Sequence, residues 1–251
     1  MKNGTSLILK TALAATVSLA VTGYAKATVT FGDGGASLQG ILNDITVAPI
    51  NNVSSTNVNT DQIQQDSYWQ ISGSGGSFAQ IIIELAGYAG TNTLGIYDAS
   101  NPSNNVTLFS GIEGAGAQKL LTFANDGSVI INFADTGVDF SGNVFGYFLN
   151  AGGHTFYSDT DLNADGVDHM VAYQGKSIDT IDLPSTLPGL WSSNEYIMAW
   201  EDLYDGGDTD YNDFVLITES VNPIPEPSIL ALLGIGFMGF VRRRNKDKIK
   251  C

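Results

Sequence analysis

Two acidic loops hold the side chains whose types and spacing could do chemistry. The first runs from Asp159 to His169. Counted from Asp161, side-chain oxygens stand at loop positions 1 (Asp161), 3 (Asn163) and 5 (Asp165), with Gly166 at position 6. That is the arrangement of an EF-hand-type calcium loop, in which alternate residues face one concavity and glycine permits the sharp turn. Position 12 is Ala172 rather than a bidentate glutamate, so the candidate ligands Asp161, Asn163, Asp165 and Asp168 form an incomplete cage that needs water or outside ligands. The second loop places six carboxylates in the thirteen residues from Glu201 to Asp213, with no lysine or arginine among them. At ~5 Å spacing and an effective dielectric of ~20, each like-charged pair costs about 3 kcal/mol, which cations, protonation or wide splaying would relieve. Oxygen donors without His or Cys favour a hard ion, and flexible carboxylate loops favour Ca²⁺ over Mg²⁺. The candidate ligands here are Asp202, Asp205, Asp208, Asp210, Asn212 and Asp213, with Asp33, outside both loops, as the comparison carboxylate. The alternative reading is a solvated acidic hairpin turning at Gly206-Gly207.

Catalysis finds less support. Glu201 and Asp202 could act as an acid–base pair in glycoside hydrolysis, yet nothing in the sequence gives them the different environments such a pair needs. No G-x-S-x-G element exists, the single cysteine is the terminal Cys251, and His154 and His169 read as strand or turn residues rather than general bases. A non-enzymatic protein is expected. A carbohydrate-binding module that grips exopolysaccharide is the rival, with Trp69, Trp191, Tyr157 and Tyr204 as its stacking faces if those rings are not core residues.

The elements that must position these loops are strands. Short apolar segments separated by Gly, Asn and Asp clusters predict strands at 68–71, 78–86, 93–97, 120–123, 129–134, 144–149, 169–173, 196–200 and 214–218. His169, Val171 and Tyr173 share one face of their segment, and Tyr196, Met198 and Trp200 one face of theirs. Ile81-Ile82-Ile83 and Phe214-Val215-Leu216-Ile217 are apolar on both faces, as central strands covered on each side are. Long amphipathic helices are absent. The expected fold is all-β, an antiparallel β-sandwich or jelly-roll-like single domain over 67–221, preceded by an N-terminal segment (28–66) whose polar stretch 48–65 reads as a flexible or irregular connection. The chain is 251 residues long and 43% apolar, enough to bury a core. One cysteine excludes an internal disulfide and a Cys-ligated metal. A net charge of −15 argues against nucleic acid as partner.

Charge is divided unequally along the chain. Nine of the 11 basic residues lie at the two ends, leaving Lys119 and Lys176 against 24 acidic residues between Thr28 and Val221. Residues 1–27 read as a secretory signal helix: Lys2 and Lys10 lead an apolar stretch, and Ala25-Lys26-Ala27 fits small-x-small cleavage after Ala27. A retained anchor is the alternative; either way the body is exported through the Sec machinery. At the other end, residues 222–251 run Pro225-Glu226-Pro227, an apolar helix at 229–241 and Arg242-Arg243-Arg244. Thirteen helical residues reach about 20 Å, short of a ~30 Å hydrocarbon core, and the arginines hold the tail on the cytoplasmic side.

This tail resembles a PEP-CTERM sorting signal. The resemblance implies recognition by an exosortase, transient anchoring in the inner membrane, cleavage near Pro225–Pro227 and release to the cell surface or the extracellular (biofilm) matrix. The sequence from Phe145 to Thr218, above all Trp200-Glu-Asp-Leu, Gly206-Gly-Asp and Asp210-Tyr-Asn-Asp-Phe-Val, is similar to a bacterial domain of unknown function found upstream of such tails. That resemblance implies calcium on Asp202, Asp208, Asp210, Asn212 and Asp213, and it supplies no catalytic activity.

Overall fold

Tyr196, Met198 and Trp200 point to one side of their strand and Ile197 and Ala199 to the other, and all five are buried. A strand apolar on both faces needs a layer on each side, and the architecture supplies both. The structure, a computed structural model, describes residues 28–72, 76–84 and 90–224. The signal helix with Ala25 and Ala27 lies outside the described residues. So do Pro225, Glu226, Pro227, the apolar helix 229–241 and Arg242 to Arg244. Among the described residues, no helix is long and apolar enough to cross a membrane.

In chain order the elements are α1 (Ala36–Ile45), β1 (Thr46–Ala48), β2 (Tyr68–Ile71), β3 (Ser77–Glu84), β4 (Thr93–Asp98), β5 (Asn101–Phe109), β6 (Gln118–Phe123), β7 (Ser128–Ile131), β8 (Ala134–Asp139), β9 (Val144–Ala151), β10 (His154–Tyr157), β11 (Met170–Gln174), β12 (Thr180–Ile181), β13 (Gly189–Leu190), β14 (Glu195–Trp200), β15 (Phe214–Glu219) and β16 (Val221–Ile224). A seven-stranded sheet has the order β11-β14-β15-β3-β6-β7-β8, and a second sheet runs β16-β2-β9-β4-β5 with β10 paired to β9. All pairings in both are antiparallel. A small sheet, β1-β12-β13, completes the set.

The two large sheets form the predicted sandwich. Its main core draws Trp69, Ile96, Phe145 and Tyr147 from one sheet and Ile81, Met198, Trp200, Phe214 and Leu216 from the other. A second core lies on the opposite face of the seven-stranded sheet, where Val171, Tyr173, Ile197, Val215 and Ile217 meet Leu38 and Leu42 of α1. Residues 28–66 are therefore built into the molecule. Their polar stretch is irregular but not a flexible connection: Val58 is fully buried, and the Asp179 carboxylate accepts hydrogen bonds from Ser54 Oγ, Ser55 Oγ and Ser55 N at 2.8–3.0 Å. Tyr173 Oη donates to the Val58 carbonyl at 2.9 Å, and Ile63 N donates to Ala172 O.

Candidate metal centre

The second acidic loop connects β14 to β15 at one end of the seven-stranded sheet. Trp200 of β14 pairs with Phe214 of β15, which pairs with Glu84 of β3. One step beyond that row, Glu201 leaves β14 and Asp213 enters β15, so two carboxylates meet where like charges opposite each other are destabilising. Carboxylate oxygens of Glu201, Asp202 and Asp213 lie within 4.8 Å of one another, and so do those of Glu201, Asp208 and Asp210. Glu201 belongs to both groups.

Glu201 is fully buried, and as a carboxylate neither of its oxygens has a hydrogen-bond partner; only in the protonated form does it pair with Asp213. Burial and the charges of Asp213, Asp208 and Asp210 push its pKa up to about 9. Burial and the Asp202 charge push Asp213 up to about 6. Burial and the same Asp202 raise Glu84 to about 7, and burial with the charges of Asp208 and Asp33 raises Asp210. The oxygen surplus extends to Glu84 Oε1 and Asn92 Oδ1, both buried without partners. Asp202 is fixed by Asn92 Nδ2, which donates to its Oδ2 at 2.9 Å, while Asp202 N donates to Asp213 Oδ2 at 3.0 Å.

The loop wraps closely around Glu201. At Gly207 the backbone has φ 50° and ψ −125°, and a Cβ there would sit 2.3 Å from Glu201 Oε1. Only glycine fits. Gly32 does the same from the N-terminal side: its N–H donates to Thr209 O at 3.1 Å, and a Cβ would lie 2.2 Å from the Asp208 carbonyl. Phe31 meets Tyr211 edge to face at 5.4 Å. Asp33, beside Asp210, is thus no remote comparison carboxylate, as the sequence suggested.

Of the residues predicted as ligands, the fold gathers Asp202, Asp208, Asp210 and Asp213. Asn212 instead supports Asp210, donating to it from both its backbone N and its Nδ2. The Asp205 side chain is exposed, and its N–H donates to Asp165 Oδ2 at 3.0 Å. The first loop forms no EF-hand-like cage. Asn163 is spent on the chain itself: Oδ1 accepts from Tyr157 N, and Nδ2 donates to the carbonyls of Tyr157 and Val167. Asp161 is exposed, and Asp168 Oδ1 accepts from Met170 N at 3.4 Å. Asp165 Oδ2 meets His169 Nε2 at 2.9 Å, a pair with both side chains enclosed. Against the cost of burial, hydrogen bonds from Val167 N, His169 and Asp205 N hold the Asp165 carboxyl below its usual range. His169 Nδ1 faces the Glu201 carbonyl at 3.0 Å, so this histidine ties the first loop to the backbone of the second. Position 12 of the supposed calcium loop, Ala172, is a buried residue of β11.

The carboxylate that sequence reasoning left out of its candidate ligands is Glu201, which it treated only as a possible acid–base group. Its position, directly after an alternating apolar strand and opposite Asp213, was the available signal. Of the stacking faces proposed for exopolysaccharide, Trp69 is fully buried and Trp191 is 1% exposed, both within hydrophobic cores, and Tyr157 is half-buried. Tyr204 is exposed, its ring tilted against that of His154 with ring centres 4.7 Å apart.

No curated protein and no solved structure matches the chain. The family described as domain of unknown function (DUF4114) matches residues 139–220, a stretch that contains both acidic loops, and the PEP-CTERM protein-sorting motif matches residues 223–245. The chain thus carries a DUF4114 domain followed by a PEP-CTERM sorting motif, and that motif implies recognition by an exosortase during export and a secreted, cell-surface-associated protein.

Proposed function

We propose that this is a calcium-binding, non-catalytic protein of the cell surface or extracellular biofilm matrix, completed by the ion after export. The observation that carries the reading is the Glu201 carboxylate: enclosed, without a partner at either oxygen, and ringed by four aspartates. An ionised carboxylate left so is among the costliest arrangements a protein interior can hold; the metal-free protein relieves it by keeping a proton, and a bound cation relieves it in the proton's place. The donor set contains oxygen only, and a spread of up to 4.8 Å suits an ion that takes its ligands at about 2.3–2.6 Å. A structural role is favoured over a catalytic one because a cleft of about 570 Å³ among the described residues is lined by residues such as Phe123, Asp126, Phe140 and Asn143 and by none of the acidic cluster.

Calcium supplied outside the cell would stabilise the folded chain by mass action, roughly 2.7 kcal/mol at a hundredfold excess over the dissociation constant. For a chain of this size that corresponds to roughly 5–10 °C. Thermal unfolding of the exported protein in millimolar CaCl₂ and in excess chelator is the test. A midpoint that does not move between the two rejects calcium.

A further inference from the structure

We infer that the Glu201 carboxylate bridges two divalent cations, one held with Asp202 and Asp213 and the other with Asp208 and Asp210. This rests on the calcium reading above and specifies its stoichiometry and its shared ligand. The two groups of mutually close oxygens have Glu201 as their only common member. A carboxylate offers two oxygens and about four acceptor directions, so one group can serve both sides. Here both oxygens are buried and without partners.

Charge balance points the same way. The five carboxylates carry −5 when ionised, and the segment from Glu201 to Asp213 contains no lysine or arginine. The enclosed His169 is already committed to Asp165 and to the Glu201 carbonyl. With all five ionised, one divalent ion leaves three negative charges unbalanced around the buried Glu201; a second leaves one. Further carboxyl groups lie within electrostatic reach on each side, Glu84 of Asp202 and Asp33 of Asp210.

The two positions differ in how far they are built. On the inner side, Asp202 is buried and anchored to Asn92, Asp213 accepts from Asp202 N, and Asn92 Oδ1 is a further unpartnered oxygen. On the outer side, Asp208 is exposed and Asp210 half-buried. Preorganised ligands lose less freedom on binding, so the inner ion binds first and more tightly. The outer ion closes the loop against Gly32 and the start of α1.

Calorimetric titration of the chelator-stripped exported protein with CaCl₂ tests this, with near-ultraviolet dichroism confirming that each variant keeps its aromatic packing. The expected result is two equivalents for the wild type, one for Asp208→Asn with Asp210→Asn, and none for Glu201→Gln. Asp161→Asn should still bind two. One equivalent in the wild type, or either equivalent surviving in folded Glu201→Gln, overturns the bridge and leaves the calcium reading standing. Two equivalents in the Asp208→Asn, Asp210→Asn variant also overturn it, by locating the second ion elsewhere, and loss of one in Asp161→Asn would assign it to the first loop. No binding by the wild type removes the calcium reading and the bridge together.

Discussion

Glu201 carries an unusual burden for a residue one step past the end of a strand. Its proton affinity is raised by burial first and by Asp213 next, so the metal-free protein holds a proton that the unfolded chain releases near pH 4.5. Between about 4.5 and about 9 the folded state therefore binds more protons than the unfolded state. Stability of the chelated protein should accordingly be highest below that window and fall as pH rises through it. Asp213, raised to about 6, adds to the same slope in the lower part of the window. Calcium competes with the protons and should reverse the trend, its stabilisation growing with pH. Chemical denaturation at pH 5, 7 and 9, with CaCl₂ and with chelator, measures both slopes. A chelated protein whose stability is flat or rises over this range would contradict the enclosed Glu201. The acidic content of the loop was legible in the sequence, since six carboxylates without a basic neighbour stand out. Which residue lies at the centre was not, because that depends on Gly207 folding back onto Glu201 and on Gly32 arriving from more than 170 positions away.

Hairpins and edges show where pattern reading works and where it stops. The strands buried on both faces, β3, β14 and β15, fall where their apolar runs predict, because nothing but a covered strand accommodates such runs. The polar strands β5 and β8 escaped notice, and each is the edge of its sheet. Burial alternates along both strands, but the partly covered positions include Pro102, Asn104 and Thr136, so at these half-solvated edges the alternation is not written in apolar residues. Helix α1 escaped too, being one short helix with Gly40 inside and only Leu38 and Leu42 fully buried. The sequence also reads 129–134 as one strand, whereas the chain reverses between Ile131 and Ala134 through Asn132 (φ 50°) and Phe133 (φ 66°). A type I′ turn of this kind favours Asn-Gly, and Phe133 is 88% exposed with little packing to lose. Phe133→Gly should therefore stabilise the protein by about 1 kcal/mol, read as a higher denaturation midpoint. A lower midpoint would mean that the exposed ring contributes more than its backbone strain costs.

At the scale of the molecule, the family match and the physical unit have different limits. Residues 139–220 include β9 and β10 of one sheet and β11, β14 and β15 of the other. They are completed by strands from outside the match: β15 pairs with β3, and β9 with both β2 and β4. Delivery belongs to the tail. Replacing Pro225-Glu226-Pro227 with alanines should leave the protein cell-associated, as immunoblots of cell and medium fractions would show, and unchanged release would deny the motif a processing role. The sequence by itself determined the C-terminal sorting motif, the all-β class and the concentration of negative charge, because these reside in local composition and two-residue periodicity. Only the tertiary structure decided which acids converge. Asp161, Asn163 and Asp165 have calcium-loop spacing, yet their side chains are exposed or taken up by Tyr157, Val167 and His169. Glu201 stands in the Trp200-Glu-Asp-Leu motif, yet it gains its place from strand register and from Gly207, which lets the loop fold back against its carboxylate. Spacing along a chain fixes which residues are neighbours in one loop, while convergence of charges is a property of surfaces that meet only when sheets and loops pack.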